Sequence, residues 1–283
     1  MAKDIREFIE IPIGAWVEGG VDWVQNNLAG PLDAFAAGVG FLADGLEGLL
    51  LFLPDWVLAP LIIAFAWWRV GWRFGVFATV AMVLIAAMGL WRETMQTLAL
   101  VIGASIIALA AGLPLGIAMA RRDGVAAVVR PVLDFMQTMP PFVYLIPAAI
   151  FFGLGKVPGT IATVIFAMPP AVRLTNLGIR QVSQENVEAG LAFGCTSRQL
   201  LYKVQIPLAM PSIMAGINQT IMLALSMVVI ASMIGAGGLG NTVLTGIQRL
   251  DVGLGFEGGL GVVFLAILLD RMTQSFGLRR RRD

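Results

Sequence analysis

From residue 54 onward the apolar positions come in long runs that circle the helix rather than in a one-sided stripe, the pattern of helices surrounded by lipid. A helix needs roughly 20 mostly apolar residues to cross about 30 Å of hydrocarbon. Seven windows approach that length, at residues 54–68, 72–90, 95–120, 132–153, 158–175, 211–234 and 256–270. The first and last are short and need flanking residues to reach both interfaces. The expected fold is an all-α polytopic membrane protein with about seven transmembrane helices.

Residues 1–53 read differently, because Asp33, Asp44 and Glu47 interrupt an otherwise apolar stretch. Asp33 and Asp44 stand close to three helical turns apart and share a face, with Glu47 nearby. An acidic stripe opposite Phe35, Val39, Phe41 and Leu49 predicts a helix lying in the outer membrane surface. Upstream, Trp16 and Trp23 also share a face, and Gly30-Pro31 is expected to separate two amphipathic pieces. The competing expectation is an eighth span near residues 32–53, which would place three acids in lipid. Trp56, Trp67, Trp68, Trp72 and Trp91 fall near the ends of the first two windows and read as interfacial anchors.

Basic residues set the orientation. If the tail Arg279 to Arg282 is cytoplasmic, seven crossings put the N-terminus outside. Arg69, Arg73, Arg121, Arg122, Arg130, Arg173, Arg180, Arg198, Lys203 and Arg271 then join the tail inside, making 14 of the 19 Lys and Arg residues. Lys3, Arg6, Arg92, Lys156 and Arg249 remain outside, a bias that the reverse orientation would invert. The division expected is an N-terminal periplasmic or interfacial region at 1–53, two accessory helices at 54–91, a core at 92–276 and a basic cytoplasmic tail at 277–283.

Composition narrows the chemistry. At 58% hydrophobic and 13% charged, the chain carries more apolar surface than a soluble domain of 283 residues hides. Residues 1–10 lack the apolar core of a cleaved signal. With no histidine and one cysteine, Cys195, imidazole catalysis, an imidazole–zinc site and a cysteine-cluster metal site are excluded. No paired acids stand out, so no catalytic or metal-binding residues are assigned, and the net charge of +1 gives no reason to expect nucleic acid.

The longest inside connection, 176–210, is polar enough to leave the membrane. Ser183 is an N-cap candidate for a helix over 184–193, Glu185 favours its positive end, and Gly194 stops it. Thr196 with Gln199 makes a capping-box pattern for a second short helix that Pro207 is expected to end. Here the residues resemble the coupling-loop signature of ABC import permeases, which reads Glu-Ala-Ala, three residues, Gly, nine residues, Ile, one residue, Leu-Pro. Glu188, Ala189, Gly190, Gly194, Val204, Ile206 and Pro207 fall at that spacing, with Gly190 replacing the second Ala, Val204 the Ile and Ile206 the Leu. In the family this helix docks in a groove of the ATPase. The plainer reading is a solvated loop with routine caps. Gly153-Leu154-Gly155-Lys156 lacks the first glycine of a Walker A loop, so hydrolysis is expected from another polypeptide.

The resemblance extends from about residue 11 to the end. Gly112-Leu113-Pro114-Leu115-Gly116, Met136-Gln137-Thr138, Phe142-Val143-Tyr144-Leu145 and Lys203 through Pro211 look like the permease of glycine betaine/proline betaine importers, of the binding-protein-dependent type I family. That resemblance implies a five-helix core, a homodimer in the bacterial inner membrane, two ATP-binding subunits and an external substrate-binding protein. ATP and magnesium would sit on the ATPase, with no cofactor in this chain. The implied cargo is glycine betaine, proline betaine, choline or trimethylamine N-oxide. Because a coupling loop reports the energy source rather than the cargo, an amino-acid permease is the second reading.

Two Met-Pro-Pro sequences, at 139–141 and 168–170, each leave helical carbonyls without donors. Met139, Pro140 and Pro169 are therefore candidates for pathway lining or hinges, with packing kinks as the alternative. Asn218, Met222 and Ser226 share one face of the sixth window, with Gln219 beside them; a translocation path or interhelical hydrogen bonding both fit. Asp134 has Arg130 one turn earlier as its expected partner. Quaternary ammonium groups are held on aromatic faces, yet residues 92–283 contain no Trp and only Tyr144 and Tyr202. High-affinity recognition is thus expected on the external binding protein, with Phe142 and Tyr144 as transient contacts here.

Overall fold

A computed structural model of the chain describes residues 12–277. Lys3, Arg6 and the basic tail Arg279 to Arg282 lie outside the described residues. Every described element is a helix. The first, α1, runs Ile13–Phe52 as two helical pieces joined across a kink at Leu28. Pro31 explains the bend: its ring crowds the carbonyl of Asn27, and backbone geometry leaves the helical range one residue later. Gly30-Pro31 therefore sits just after a kink that divides two helical pieces, as the sequence leads one to expect.

A hairpin follows, α2 (Asp55–Arg69) and α3 (Trp72–Ala87). Gly71 turns it with φ of +131°, which an L side chain rarely adopts. At 15 and 16 residues these helices span only about 23 Å each, so neither crosses on length alone. Five described helices do have the length and apolarity to cross, and a bent pair makes up to six.

The centre is built from α4 (Trp91–Arg121), α7 (Lys156–Arg180) and α10 (Ile206–Ser226). Ala104, Ala108, Gly112 and Gly116 recur every four residues on α4 and are buried. That stripe brings α7 into backbone contact. A Cβ on Gly116 would stand 2.7 Å from the Val172 carbonyl oxygen, and one on Gly112 3.1 Å from Cβ of Ala171. On the other side of α7, Gly178 faces Ser212 and Gly216 faces the Pro170 carbonyl oxygen of the α7 backbone. Met95, Val101, Ala167, Ala224, Val228 and Leu265 fill the core around these crossings.

Between α4 and α7 lie α5 (Asp123–Thr138) and α6 (Pro141–Phe152). The window at 132–153 is not one span: the two helices meet at 102° across Met139 and Pro140. A residue before proline is driven out of the helical region, and both Met139 (ψ 135°) and Pro140 (ψ 140°) are extended. The second Met-Pro-Pro behaves oppositely. Pro169 and Pro170 are buried inside an unbroken α7, held helical by packing against α4 and α10.

The chain closes with α8 (Gln184–Ala192), α9 (Ser197–Leu200), a π turn (Leu201–Gln205), α10, α11 (Val228–Ser232), α12 (Leu239–Arg249) and α13 (Val252–Gly277). Pro207 does not end a helix: α9, the π turn and α10 are contiguous. The Ile206 N–H reaches back to the Leu201 carbonyl, and this wider turn accommodates the proline ring and its missing donor. The last window, 256–270, is the middle of a longer α13.

Candidate functional site

One end of the bundle carries the 188–207 motif as a projecting knob. Ser183 sits at the N-cap of α8, but its hydroxyl accepts from the Asn186 side chain at 2.8 Å instead of from a backbone N–H. At the other end of α8, Cys195 N–H donates to the Gly190 carbonyl and Gly194 N–H to that of Leu191, with Gly194 at φ +77°. This is a Schellman closure at the expected glycine. Thr196 and Gln199 form a reciprocal capping box, as the spacing predicts.

Gly190 has a packing reason that its sequence gives no sign of. It is the one buried residue of α8, and a Cβ there would lie 2.7 Å from Leu200 Cδ1 and 3.5 Å from Val204 Cγ2. The glycine lets α8 lie close on the α9–π segment, so Val204 of the motif is part of the knob's own core. Ile206 packs inward with Ile179, Leu201 and Ala209. Glu188 and Ala189 face solvent, and Glu188 accepts from Gln184 at 2.8 Å.

The knob presents apolar side chains that the motif does not include. Phe193 is 91% exposed, with Leu191 and Tyr202 also largely uncovered. Apolar residues gathered on a projecting element mark a surface made to be covered. Behind them an open cavity of about 520 Å³ is lined by Arg121, Arg180, Gln184, Ser197 and Gln205. Arg180 braces the base of the knob, donating to Asn176 (2.9 Å), to the Met119 carbonyl (2.7 Å) and to Asp123 (2.6 Å).

The residues proposed for a pathway are not gathered into one lining. Phe142, Gln219 and Ser226 are exposed, while Tyr144 and Pro169 are buried. The Tyr144 hydroxyl donates to the Met136 carbonyl and ties α6 back to α5. Met139 packs beside Tyr144 in the same cluster. Asn218 turns toward α13 and donates to Asp270 at 2.9 Å, the interhelical alternative. Ser226 donates to the Met222 carbonyl of its own helix. Asp134 does not pair with Arg130; it meets Arg173 of α7 at 2.5 Å, because the 102° bend tilts α5 across that helix.

At the opposite end, Lys156 pairs with Glu47 (2.5 Å) and Asp44 (3.1 Å), and Gln96 donates to Glu47 at 3.1 Å. Gln25 donates to the Ile150 carbonyl, and Phe35 lies 6.3 Å from Phe152 between ring centroids. Of the acids of α1, Glu47 therefore faces protein, Asp44 reaches Lys156 from an exposed position and Asp33 is exposed, with Val39 and Ala43 buried and Phe41, Leu49 and Phe52 outward. Lone acids in the sequence gave no sign of a lysine partner more than 100 residues away.

Long apolar helices crossing on small residues, two broken by a sharp bend, with an amphiphilic knob at one end, define a multi-pass helical membrane protein built to work with a partner. Residues 112–282 match the family described as binding-protein-dependent transport system inner membrane component, and the chain belongs to that family. It is 51% identical to the glycine betaine/proline betaine transport system permease protein ProW of Escherichia coli (strain K12), over 94% of this chain and 75% of ProW. It is 49% identical to the glycine betaine/carnitine transport permease protein GbuB of Listeria monocytogenes serotype 1/2a (strain 10403S), over 96% and 98%. Its fold is like that of a chain in the inward-facing MetNI methionine ABC transporter, with a TM-score of 0.59, 19% identity, and coverage of 65% of this chain and 94% of that one.

Proposed function

We propose that this chain is the permease subunit of an ATP-driven importer for quaternary-amine osmolytes such as glycine betaine or proline betaine, choline and trimethylamine N-oxide being further members of that class. The observation that carries the coupling half of this reading is the knob: Leu191 on α8 and Phe193 at its C-cap exposed, beside a second short helix that runs on into the central α10. A separate ATPase seated on Glu188, Ala189, Phe193 and their neighbours would act on the core without an intervening loop. The names of ProW and GbuB support the cargo, and the burial of Tyr144 supports recognition on an external binding protein. The working unit is two copies of this chain with two ATP-binding subunits, in a bacterial inner membrane.

The topology we favour has seven crossings, N-terminus outside and C-terminus cytoplasmic, with α2 and α3 as short accessory spans. Residues 25–47 of α1 meet Ile150, Phe152, Lys156 and Gln96, all at one end of α4, α6 and α7. That supports a helix laid across the outer end of the bundle. The test is reconstitution in proteoliposomes with ATPase and binding protein, following labelled glycine betaine. Uptake requiring all three components is expected; ungated flux through the chain alone would overturn the reading. A thermal-shift screen of the binding protein against betaines and amino acids decides the cargo, and Gly194→Arg or Glu188→Lys should leave the chain inserted but weaken ATPase co-purification.

A further inference from the structure

The turn of the α2–α3 hairpin encloses, with α13, an open cavity of about 510 Å³ that the transport reading leaves unused. Its floor is apolar, formed by Val70, Phe74 and Phe77, and its rim carries Trp72, Arg73 and Arg271. Arg69 stands at the same level, its guanidinium 4.7 Å from the centroid of the Phe276 ring, and that of Arg73 lies 5.6 Å from the Trp72 ring centroid. Cation–π contact of this kind leaves guanidinium N–H groups free to donate. Among the described residues Arg69 and Arg73 have no carboxylate within ion-pair distance, and Arg271 has only Asp270, at 3.9 Å. Asp270 is already engaged by Asn218 and Gln274 at 2.9 and 2.7 Å. Trp67, Trp68 and Trp72 are exposed around the turn, the aromatic girdle of a headgroup boundary.

Two guanidiniums without a carboxylate partner among the described residues and a third, Arg271, with only a distant one, set above an apolar floor at that boundary, fit one kind of ligand. We propose that this cavity holds the phosphate of an anionic phospholipid, with Arg73 and Arg271 as its principal donors, Arg69 contributing to the positive field, and an acyl chain lying over Phe74 and Phe77. A free phosphate matches the arginines but leaves the apolar floor uncovered, whereas a lipid satisfies both. The proposal rests on the bilayer placement above, with the hairpin turn at the headgroup level, but not on the transport cycle or the cargo.

The experiment is native mass spectrometry of the full chain purified in detergent and titrated with phosphatidylglycerol, phosphatidylcholine or inorganic phosphate. Wild type should retain phosphatidylglycerol about tenfold better than phosphatidylcholine, on the order expected for arginines at a lipid surface. Millimolar phosphate should not displace it. The Arg73→Ala/Arg271→Ala double variant should lose that preference, while Arg92→Ala at the far end of the bundle should keep it. Equal retention of both lipids by wild type, displacement by phosphate alone, or an unchanged preference in the double variant would each overturn the proposal. The wild-type comparison decides even where the double variant fails to fold. A negative result would leave uptake in proteoliposomes untouched, so the two readings fail separately.

Discussion

The two glycines of the knob separate the docking reading from a routine loop, because the structure gives them opposite costs. Gly194 has open space around its Cα but a φ of +77°. An alanine there carries roughly 1–2 kcal/mol of left-handed strain, and relieving it opens the closure that Cys195 and Gly194 make on Gly190 and Leu191. Gly190 has ordinary helical geometry, and a Cβ meets the far end of the Leu200 side chain at 2.7 Å and Val204 Cγ2 at ordinary contact distance, 3.5 Å. Alanine there gains about 0.5–1 kcal/mol of helix propensity, offset by a small shift of Leu200, so the net effect is near zero. If an ordered knob is what the ATPase binds, Gly194→Ala should weaken association by about 5- to 30-fold, since 1.4 kcal/mol is a factor of ten. Gly190→Ala should change it by less than about fivefold, its cost being under about 1 kcal/mol. The assay is a titration of the ATPase onto the permease in nanodiscs. Equal losses in the two variants, or no loss in Gly194→Ala, would refute the reasoning.

Three further outcomes follow from contacts elsewhere. Gly116→Ala forces a methyl to within 2.7 Å of the Val172 carbonyl oxygen and should lower stability by about 1–3 kcal/mol. Gly124→Ala, with nothing within 4 Å, should be neutral or slightly stabilising; thermal unfolding in detergent compares them. Lys156→Met removes the charge that holds Asp44 and Glu47, and amide exchange over residues 33–47 should quicken several-fold, on the order of 1 kcal/mol for partly exposed pairs, with α7 unchanged. Asn218→Leu leaves Asp270 with Gln274 and a distant Arg271, and should loosen α10 from α13 by about 0.6–1.7 kcal/mol, read as a lower midpoint of unfolding.

The helical architecture and the knob were legible because they depend on short-range rules. Apolar runs located α4, α7, α10 and α13, and the capping signals at Gly194 and Thr196 act over three to five residues. What the sequence hid depends on contacts between distant elements. Two identical Met-Pro-Pro triplets behave oppositely: the first breaks the chain by 102°, while packing against Gly112 and Gly216 keeps the second helical. Pro207 looked like a stop because a π turn has no sequence marker. Asp134 chose Arg173 over Arg130, and the acids of α1 chose Lys156, because tertiary approach, not helical periodicity, sets which charge is nearest. The apolar surface of Leu191 and Phe193 was overlooked because the motif records spacing rather than exposure.

The continuity of α9, the π turn and α10 bears directly on how a docked partner would act. A flexible loop would dissipate a push within a few residues, but helical backbone is continuous from Ser197 to Ser226, with one widened turn and the donors of Pro207 and Pro211 missing. Gly178 and Gly216 place α10 in backbone contact with α7, and Gly112 and Gly116 place α7 in contact with α4. Backbone contacts of this kind have little side-chain slack to absorb motion. In the proposed docking, a shift of the knob would therefore move α10 at Asn218 and α7 at Pro170 together. The compliant point in that docking would be the Met139–Pro140 break, where α5 and α6 are joined by two extended residues, the Tyr144 tie to Met136 and the packing of Met139. In that proposed docking, α9 to α10 would serve as the stiff transmitter and the α5–α6 bend as the hinge.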